Sequence, residues 1–251
     1  MQRAGKASFV HLDGRSVVAT LGGATRRESN LPCVAYQART LKEPVSPWPH
    51  AIGFVLAVIG FGYLVARFHQ NVETLAVMSI YGLSLLAAFG SSALYHWVGG
   101  TGPRQKAVFR RMDHASIYAL IAGTYTPVLY FGLNGAWRVG TLTCVWVLAL
   151  IGIAQTMWFV DAPRALSTGF YVALGWLAVV PSWKLAGSLS HPAIVLLILG
   201  GLLYTLGGVI YATRSFNLSP GRFGFHEVFH IFVIAGAAAH FAAIAFFLTP
   251  S

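Results

Sequence analysis

Charged side chains are scarce in this chain of 251 residues. Only 10% of the residues are charged, against about 25% in an ordinary soluble domain, while 56% are hydrophobic. A water-soluble core of that size would need far more charged side chains to cover it. The composition therefore excludes a soluble globular domain and indicates an integral membrane protein.

Cysteine is nearly absent as well. One cysteine, Cys33, lies in the N-terminal stretch, and the other, Cys144, lies inside an apolar run. Two cysteines so placed give neither a disulfide framework nor a thiolate metal site. Both are expected to be free thiols.

Acidic residues number only 7, which leaves a net charge of +10. The basic residues stand in short gaps between apolar runs, the pattern typical of membrane loops. This distribution excludes nucleic acid as a partner and leaves membrane lipids as the expected surroundings.

Residues 1–42 have no apolar run of the 7 to 15 residues that a secretory signal needs. They carry several basic residues and no motif that suggests chemistry. We therefore predict a basic, disordered cytoplasmic tail over residues 1–42, followed by a membrane domain over residues 43–251.

Seven apolar runs follow the tail, each close to the ~20 residues that cross a bilayer as a helix. Tryptophans stand near the ends of several runs, where their amphipathic rings favour the membrane interface. The pattern predicts an all-α integral membrane bundle of seven transmembrane helices. The runs cover residues 50–68, 74–97, 113–131, 138–160, 165–184, 192–213 and 226–248.

The basic residues also predict an orientation. Fourteen of the 17 Lys and Arg residues lie in the tail or in the connections on the same side of the membrane as the tail. Only three lie in the connections on the other side. Because positively charged loops stay on the cytoplasmic side, we predict a cytoplasmic N-terminus and a C-terminus outside. The 98–112 loop should then be cytoplasmic.

The sequence HEVFH opens the last apolar run. His226 and His230 are four residues apart, so on a helix they project from one face and can reach one metal ion. Glu227 between them matches the pattern in which a glutamate acts as a general base. On a helix, however, Glu227 lies about 100° from His226, so we predict a minor role for it.

The predicted topology brings further polar residues to the same end of the bundle. Run 2 ends with His96, and run 3 begins with Asp113. Ionisable residues in membrane segments are candidates for a functional site. Together with His226 and His230, His96 makes a set of three histidines that can bind zinc and leave its fourth position open for water. Asp113 is expected near that water.

Other residues near these run ends are candidates for an outer layer. Ser92 stands four residues before His96 and shares its helix face. The single histidines His69 and His191 receive no role, because an isolated histidine at a helix end is usually an interface residue. The remaining candidates for the outer layer are Glu43, His50, His114 and His240.

Four sequence features resemble the bacterial hemolysin III proteins. They are the S-x-x-x-H spacing of Ser92 and His96, Asp113 seventeen residues later, and the phrases DHASIYALIAGTYTPVLY and HEVFHIFVIAGAAAHF. That family is related to the progestin and adipoQ receptors, including the adiponectin receptors, and the resemblance covers residues from about 43 to 248. One departure is Ser46, which stands where the family usually has asparagine before a histidine.

The resemblance implies seven transmembrane helices in the bacterial inner (plasma) membrane. It also implies a zinc ion (Zn²⁺) held by His96, His226 and His230, with Asp113 near the water on that metal. The family is similar to alkaline ceramidases in its Ser, Asp and His set.

Three functions fit these residues. The first is a zinc-dependent hydrolase of lipid amides, similar to a ceramidase and acting in membrane lipid homeostasis, with Asp113 or Glu227 handling protons and Ser92 binding the oxyanion or water. The second is a pore-forming or cytolytic membrane protein with a structural zinc ion. The third is an intramembrane metalloprotease, which ranks last because no Asp-Gly pair occurs in a later apolar run.

Overall fold

The structure is a computed structural model that describes residues 8–12, 15–19, 48–97, 102–158, 163–216 and 224–248. The chain divides into two compact units, Met1–Glu43 and Pro44–Ser251. Within the first unit, strand β1 (Ser8–Leu12) pairs in antiparallel register with strand β2 (Arg15–Ala19). The other residues of the predicted tail lie outside the described part, so the disordered tail stays a prediction.

In its described part, the second unit consists of helices joined by short connections. Two stretches depart from regular α-helix: a 3-10 turn at Trp176–Val179 and a π-helical turn at Ala243–Phe247. The α-helices are α1 (Trp48–Phe68), α2 (Val72–Trp97), α3 (Pro103–Gly132), α4 (Gly135–Trp158), α5 (Arg164–Gly175), α6 (Ser182–Ser188), α7 (His191–Thr213) and α8 (Phe225–Ala242).

Five of these helices are long and apolar enough to cross a membrane: α1, α2, α4, α7 and α8 with its π-helical turn. The α5–α6 region adds a sixth span if its two parts, bent by 55°, count as one. The 30-residue α3 is long enough but not apolar enough to be counted. The helical membrane fold is confirmed for the second unit, whereas the count of seven spans and the orientation of the termini stay predictions.

Helix α3 tolerates its polar residues because other helices surround it. It packs against α2, α4, α5 and α6, and most of its residues from Ala115 onward are buried. Its threonines bond back to their own helix, as when the Thr126 hydroxyl donates to the carbonyl of Ala122 at 2.8 Å. A polar group in an apolar environment needs a hydrogen-bond partner, and these hydroxyls find one within their own helix.

The outer faces of the bundle are apolar. On α1, Ile52, Val55 and Ile59 are each more than half exposed, whereas Leu64 of the same helix is fully buried. In water so large an exposed apolar surface would drive association. On a membrane protein these side chains face lipid, which agrees with the composition.

The break between α5 and α6 is stabilised by a tyrosine from α3. The Tyr125 hydroxyl donates to the carbonyl of Gly175 at 2.6 Å and accepts from the N–H of Ala178 at 2.7 Å. These backbone groups lie where the regular α-helix gives way to the 3-10 turn, and unpaired backbone groups inside a membrane are costly. Tyr125 therefore lets the chain bend at membrane depth.

Helices α1 and α2 approach closely at one point near the candidate site. A methyl group added at Gly53 would overlap the ring of Phe89, and one added at Gly90 would lie 3.1 Å from the ring of Phe54. Each glycine thus makes room for a phenylalanine of the other helix. This packing fixes the start of α1 against the last two turns of α2.

Candidate metal centre

Four histidines from three helices meet at one end of the bundle. His50 lies in the first turn of α1, His96 in the last turn of α2, and His226 and His230 in the first two turns of α8. The three histidines expected from the sequence, His96, His226 and His230, lie together in the structure. His50, expected only in an outer layer, lies inside the cluster.

The four rings are close enough to serve one metal ion. One nitrogen from each histidine can be chosen so that all four lie within 4.8 Å of one another, and the Nε2 atoms of His226 and His230 are 3.1 Å apart. Ligands of a tetrahedral zinc ion at ~2.0 to 2.1 Å are separated by about 3.3 Å. Small side-chain rotations would therefore bring the set to a metal-binding geometry.

Two nitrogen atoms in the cluster lack a partner. The Nε2 atoms of His50 and His96 are buried and make no hydrogen bond within the described part of the chain. A buried imidazole nitrogen left unpaired costs free energy, and a cation among the rings removes that cost by taking up the lone pairs. Four imidazoles therefore fit a metal ion, and imidazole suits zinc, copper, iron and nickel.

A hydroxyl and a carboxyl extend the cluster on one side. The Oγ of Ser92 lies 2.8 Å from Nδ1 of His50, and the same hydroxyl hydrogen-bonds to the Asp113 side chain. Ser92 and Asp113, both expected near the site, are thus joined to it through His50. Metal-binding histidines usually use their second nitrogen in this way.

Glu227 has a structural partner outside the cluster. Its carboxylate accepts a hydrogen bond from the backbone N–H of Gly224 at 2.8 Å, and its side chain is 4% exposed. This contact satisfies a free N–H at the start of α8 and places a negative charge at the helix N-terminus. The arrangement agrees with the minor role predicted for Glu227 at the site.

The remaining candidates for the outer layer are distributed differently. His240 lies ten residues beyond His230 on α8, about 15 Å along the helix, and its Nε2 bonds to the carbonyl of Leu197 at 3.0 Å. His240 therefore does not belong to the cluster. The backbone carbonyl of His114 accepts from the hydroxyl of Tyr171 at 3.3 Å, and Glu43, like Ser46, lies outside the described residues.

Known proteins match most of the chain. Residues 38–241 match the family described as Haemolysin-III related. The chain is 35% identical over 211 residues to the Hemolysin-3 homolog of Bacillus subtilis (strain 168), covering 83% of this chain and 95% of that relative. It is 31% identical over 204 residues to Hemolysin-3 of Bacillus cereus, covering 80% of this chain and 90% of that relative.

A more distant relative is an animal receptor. The chain is 29% identical over 216 residues to the Adiponectin receptor protein of Drosophila melanogaster, which covers 78% of this chain and 48% of the receptor. The apolar helices and the bacterial relatives together indicate an integral protein of the plasma membrane. The chain therefore belongs to the Haemolysin-III related family of integral membrane proteins.

Proposed function

We propose that this protein is a zinc-dependent hydrolase that acts on lipid amides from within the membrane. The observation that carries the proposal is the cluster of four histidines with one nitrogen each within 4.8 Å of the others. A purely structural role in packing would not require so many imidazoles to share one buried space. The donors are nitrogen atoms, a set that zinc accepts readily.

His96, His226 and His230 would hold the ion, as the resemblance to the family implies. Three histidines are the protein ligands of one established class of catalytic zinc site. When bound, zinc would polarise an amide carbonyl and make water more acidic.

The residues around the cluster can assist an amide hydrolysis. The Asp113 carboxylate can accept a proton, and it is connected to the cluster through the Ser92 hydroxyl. Ser92 can also donate a hydrogen bond to an oxyanion when its proton is not directed to Asp113. Ser92 comes from α2 and Asp113 from α3, two helices that pack against each other.

The depth of the cluster favours a lipid substrate. His50, His96 and His226 each lie within one turn of a helix end, which places them near the boundary between the polar and apolar layers of a bilayer. The amide of a sphingolipid lies at that boundary, whereas its acyl chains extend into the apolar layer. We therefore favour a ceramide-like amide over a soluble substrate.

An intramembrane protease is less well supported. In that mechanism the glutamate of HEVFH acts as the general base, but the Glu227 carboxylate is bonded to the start of its own helix. A cytolytic function is a second candidate because two relatives carry the name Hemolysin-3. In that case the metal would hold α2 and α8 together without turning over a substrate.

Three measurements on the same set of proteins separate these functions. Purified wild-type protein, Asp113→Asn and the matched control Glu227→Gln are compared for zinc content, for ceramide hydrolysis in mixed micelles and for dye release from liposomes. A hydrolase should keep its zinc in Asp113→Asn, with affinity weaker by the ~10 to 100-fold typical of changes around a metal site, and lose most turnover. Glu227→Gln should behave as wild type.

The same experiment can reject the proposal. If zinc-loaded wild-type protein cleaves no ceramide or other acyl amide, while it releases dye and Asp113→Asn releases as much, the cytolytic function replaces the hydrolase. If Glu227→Gln alone loses turnover with zinc retained, the protease-like mechanism is favoured instead.

A further inference from the structure

We propose that the end of the bundle opposite the histidine cluster binds an anionic phospholipid. The phosphate lies between Arg138 and Lys184, and one acyl chain enters an apolar cavity on the membrane side of these two cations. The site is built from the start of α4 and from the bend between α5 and α6. It is separate from the metal centre and does not depend on the proposed hydrolase function.

The contacts of Arg138 place the site at the far end of the bundle. Glu73 lies in the first turn of the 26-residue α2, and His96 lies in its last turn, about 35 Å away along the helix. The hydroxyl of Tyr130, in the last turn of α3, donates to the carboxylate of Glu73. The guanidinium carbon of Arg138 lies 4.6 Å from the centre of the Tyr130 ring, so Arg138 is remote from the histidines.

Arg138 is held in place and still has donors to spare. Its Nε–H donates to the carbonyl of Leu133, and its Nη2 donates to Oδ1 of Asn134, both at 2.7 Å. A guanidinium carries five N–H groups, so three are left for a further acceptor. Because the planar fork of arginine matches the oxygens of a phosphate, a guanidinium fixed in this way suits a lipid phosphate.

A second cation lies beside the neighbour of Arg138. The Nζ atom of Lys184 is 5.4 Å from the centre of the Trp137 ring, and the Trp183 ring meets the same ring edge to face at 5.1 Å. Tryptophan favours the membrane interface, where lipid headgroups lie. Among the described residues, Glu73 has the only carboxylate at this end, and it is bonded to a tyrosine. Two cations therefore face one carboxylate, which favours an external anion.

A cavity of about 100 Å³ lies next to these cations. Its lining on α4 continues the helix face of Trp137 into the membrane, through Gly140, Thr141 and Cys144. Its lining at the bend includes Val180 and Pro181, about one turn before Lys184. Cys144 lies about 9 Å deeper along α4 than Arg138. The cavity therefore runs from the level of the headgroups toward the middle of the membrane.

The cavity suits hydrocarbon and not water. The hydroxyl of Thr141 donates to the carbonyl of Trp137, and the hydroxyl of Tyr125 is bonded to the backbone at the bend. A bound water needs two to four polar partners, whereas apolar cavities stay dry and take up apolar molecules. Cys144 and Val180 are exposed, so an acyl chain can enter the cavity from the surrounding lipid.

An interfacial anchor without a bound lipid is the alternative explanation. Arg67 is a basic residue of that kind at the same end of the bundle: it is exposed, and its guanidinium carbon lies 5.5 Å from the centre of the Phe68 ring. The cavity is lined by no residue of α1. Arg138 and Lys184 differ from Arg67 because a tryptophan pair and a cavity adjoin them, which is what a whole lipid requires.

Native mass spectrometry of the purified protein in detergent measures the binding of single lipids. The protein is titrated with palmitoyl-oleoyl phosphatidylglycerol and, separately, with phosphatidylcholine that has the same chains. Each basic residue near a membrane surface favours an anionic lipid by about fivefold, so wild type should bind the first phosphatidylglycerol about 25-fold more tightly. Arg138→Gln and Lys184→Gln should each lose about fivefold for phosphatidylglycerol alone. The control Arg67→Gln should match wild type.

Gly140→Phe tests the cavity. An added Cβ at Gly140 meets nothing within 4 Å, so the ring can occupy the space of the acyl chain. Affinity for both lipids should fall by about fourfold for each methylene group excluded, with the preference for phosphatidylglycerol retained. Gly62→Phe is the matched control, because an added Cβ at Gly62 also meets nothing within 4 Å; it should match wild type.

Two results would overturn the proposed lipid site. Equal affinity of wild type for the two lipids does so without any variant, so the test does not depend on whether the variants fold. An Arg67→Gln protein that loses as much affinity as Lys184→Gln does so as well, because the effect would then be one of general charge.

Inorganic phosphate distinguishes a lipid from a free anion. It should not displace phosphatidylglycerol when added at the concentration of the lipid, because it makes no contact in the cavity. Displacement by phosphate, together with wild-type binding of phosphatidylglycerol by Gly140→Phe, would identify a simple anion site and overturn the phospholipid.

Discussion

Substitution of Gly53 by alanine should weaken metal binding, although Gly53 itself does not belong to the histidine cluster. Gly53 lies one turn after His50 on α1, and a methyl group there would overlap the ring of Phe89 on α2. To make room, α1 has to move away from α2, and His50 moves with it, away from Ser92. The effect is therefore transmitted through the helix contact.

The size of the effect follows from the cost of overpacking. Extra atoms in a well-packed interior typically cost about 1 to 3 kcal/mol. If α1 relieves this strain by moving, the same free energy is lost from metal binding, because the bound state requires the original spacing. At about 1.4 kcal/mol for each tenfold change, zinc affinity should fall by about 5 to 150-fold.

Zinc affinity is measured by competition with a chromophoric chelator in detergent, with thermal denaturation of the same samples to confirm folding. Gly62→Ala is the matched control, since it lies on the same helix and an added methyl group there meets nothing within 4 Å. The control should bind zinc as wild type does. The reasoning is refuted if Gly53→Ala is folded and binds zinc with wild-type affinity.

Three further predictions concern other parts of the chain. Glu227→Ala should lower the free energy of unfolding by about 0.5 to 2 kcal/mol, the range for loss of a helix cap, with zinc content unchanged; a loss of zinc at full stability would contradict the capping role. Tyr125→Phe should lower the denaturation temperature, because it removes two hydrogen bonds to the backbone at the bend, each worth about 0.5 to 1.5 kcal/mol; an equal effect from Tyr63→Phe, a partly exposed tyrosine of α1, would contradict this. In protein without its native cysteines, Lys106→Cys should react with a membrane-impermeant maleimide only after the cells are opened, and labelling in intact cells would reverse the predicted orientation.

Much of the helical layout could be predicted from the sequence because membrane spans are long and locally encoded. The run at 192–213 corresponds to α7 (His191–Thr213), within one residue at its start. By contrast, α3 begins at Pro103, ten residues before its apolar run. Its first turns carry basic residues that give no apolar pattern, although they are helical.

The break between α5 and α6, inside the apolar run at 165–184, could not be predicted from the hydropathy of that run. Pro181 was visible in the sequence, but proline is tolerated within membrane helices. What fixes the bend is the hydroxyl of Tyr125 bonded to Gly175 and Ala178, about fifty positions away along the chain. Such a contact between distant residues leaves no local pattern.

The candidate site was predictable to the extent that its spacing is local. His226 and His230 share a helix face by their four-residue separation, and the predicted topology brought His96 to the same end. His50 has no such spacing, because its partner Ser92 is 42 residues away and its position depends on the close packing of α1 and α2. It could be identified as a neighbour of the site but not as a member of the cluster.

The central claim is that the histidine cluster binds zinc, and the most direct test is the metal content of purified protein. Wild-type protein, His226→Ala and the exposed control His191→Ala are prepared in parallel and measured by inductively coupled plasma mass spectrometry. We expect about one zinc ion per chain in wild type and in His191→Ala, and a large loss in His226→Ala. Equal and negligible zinc in all three proteins, after incubation with zinc and removal of excess, would contradict the account.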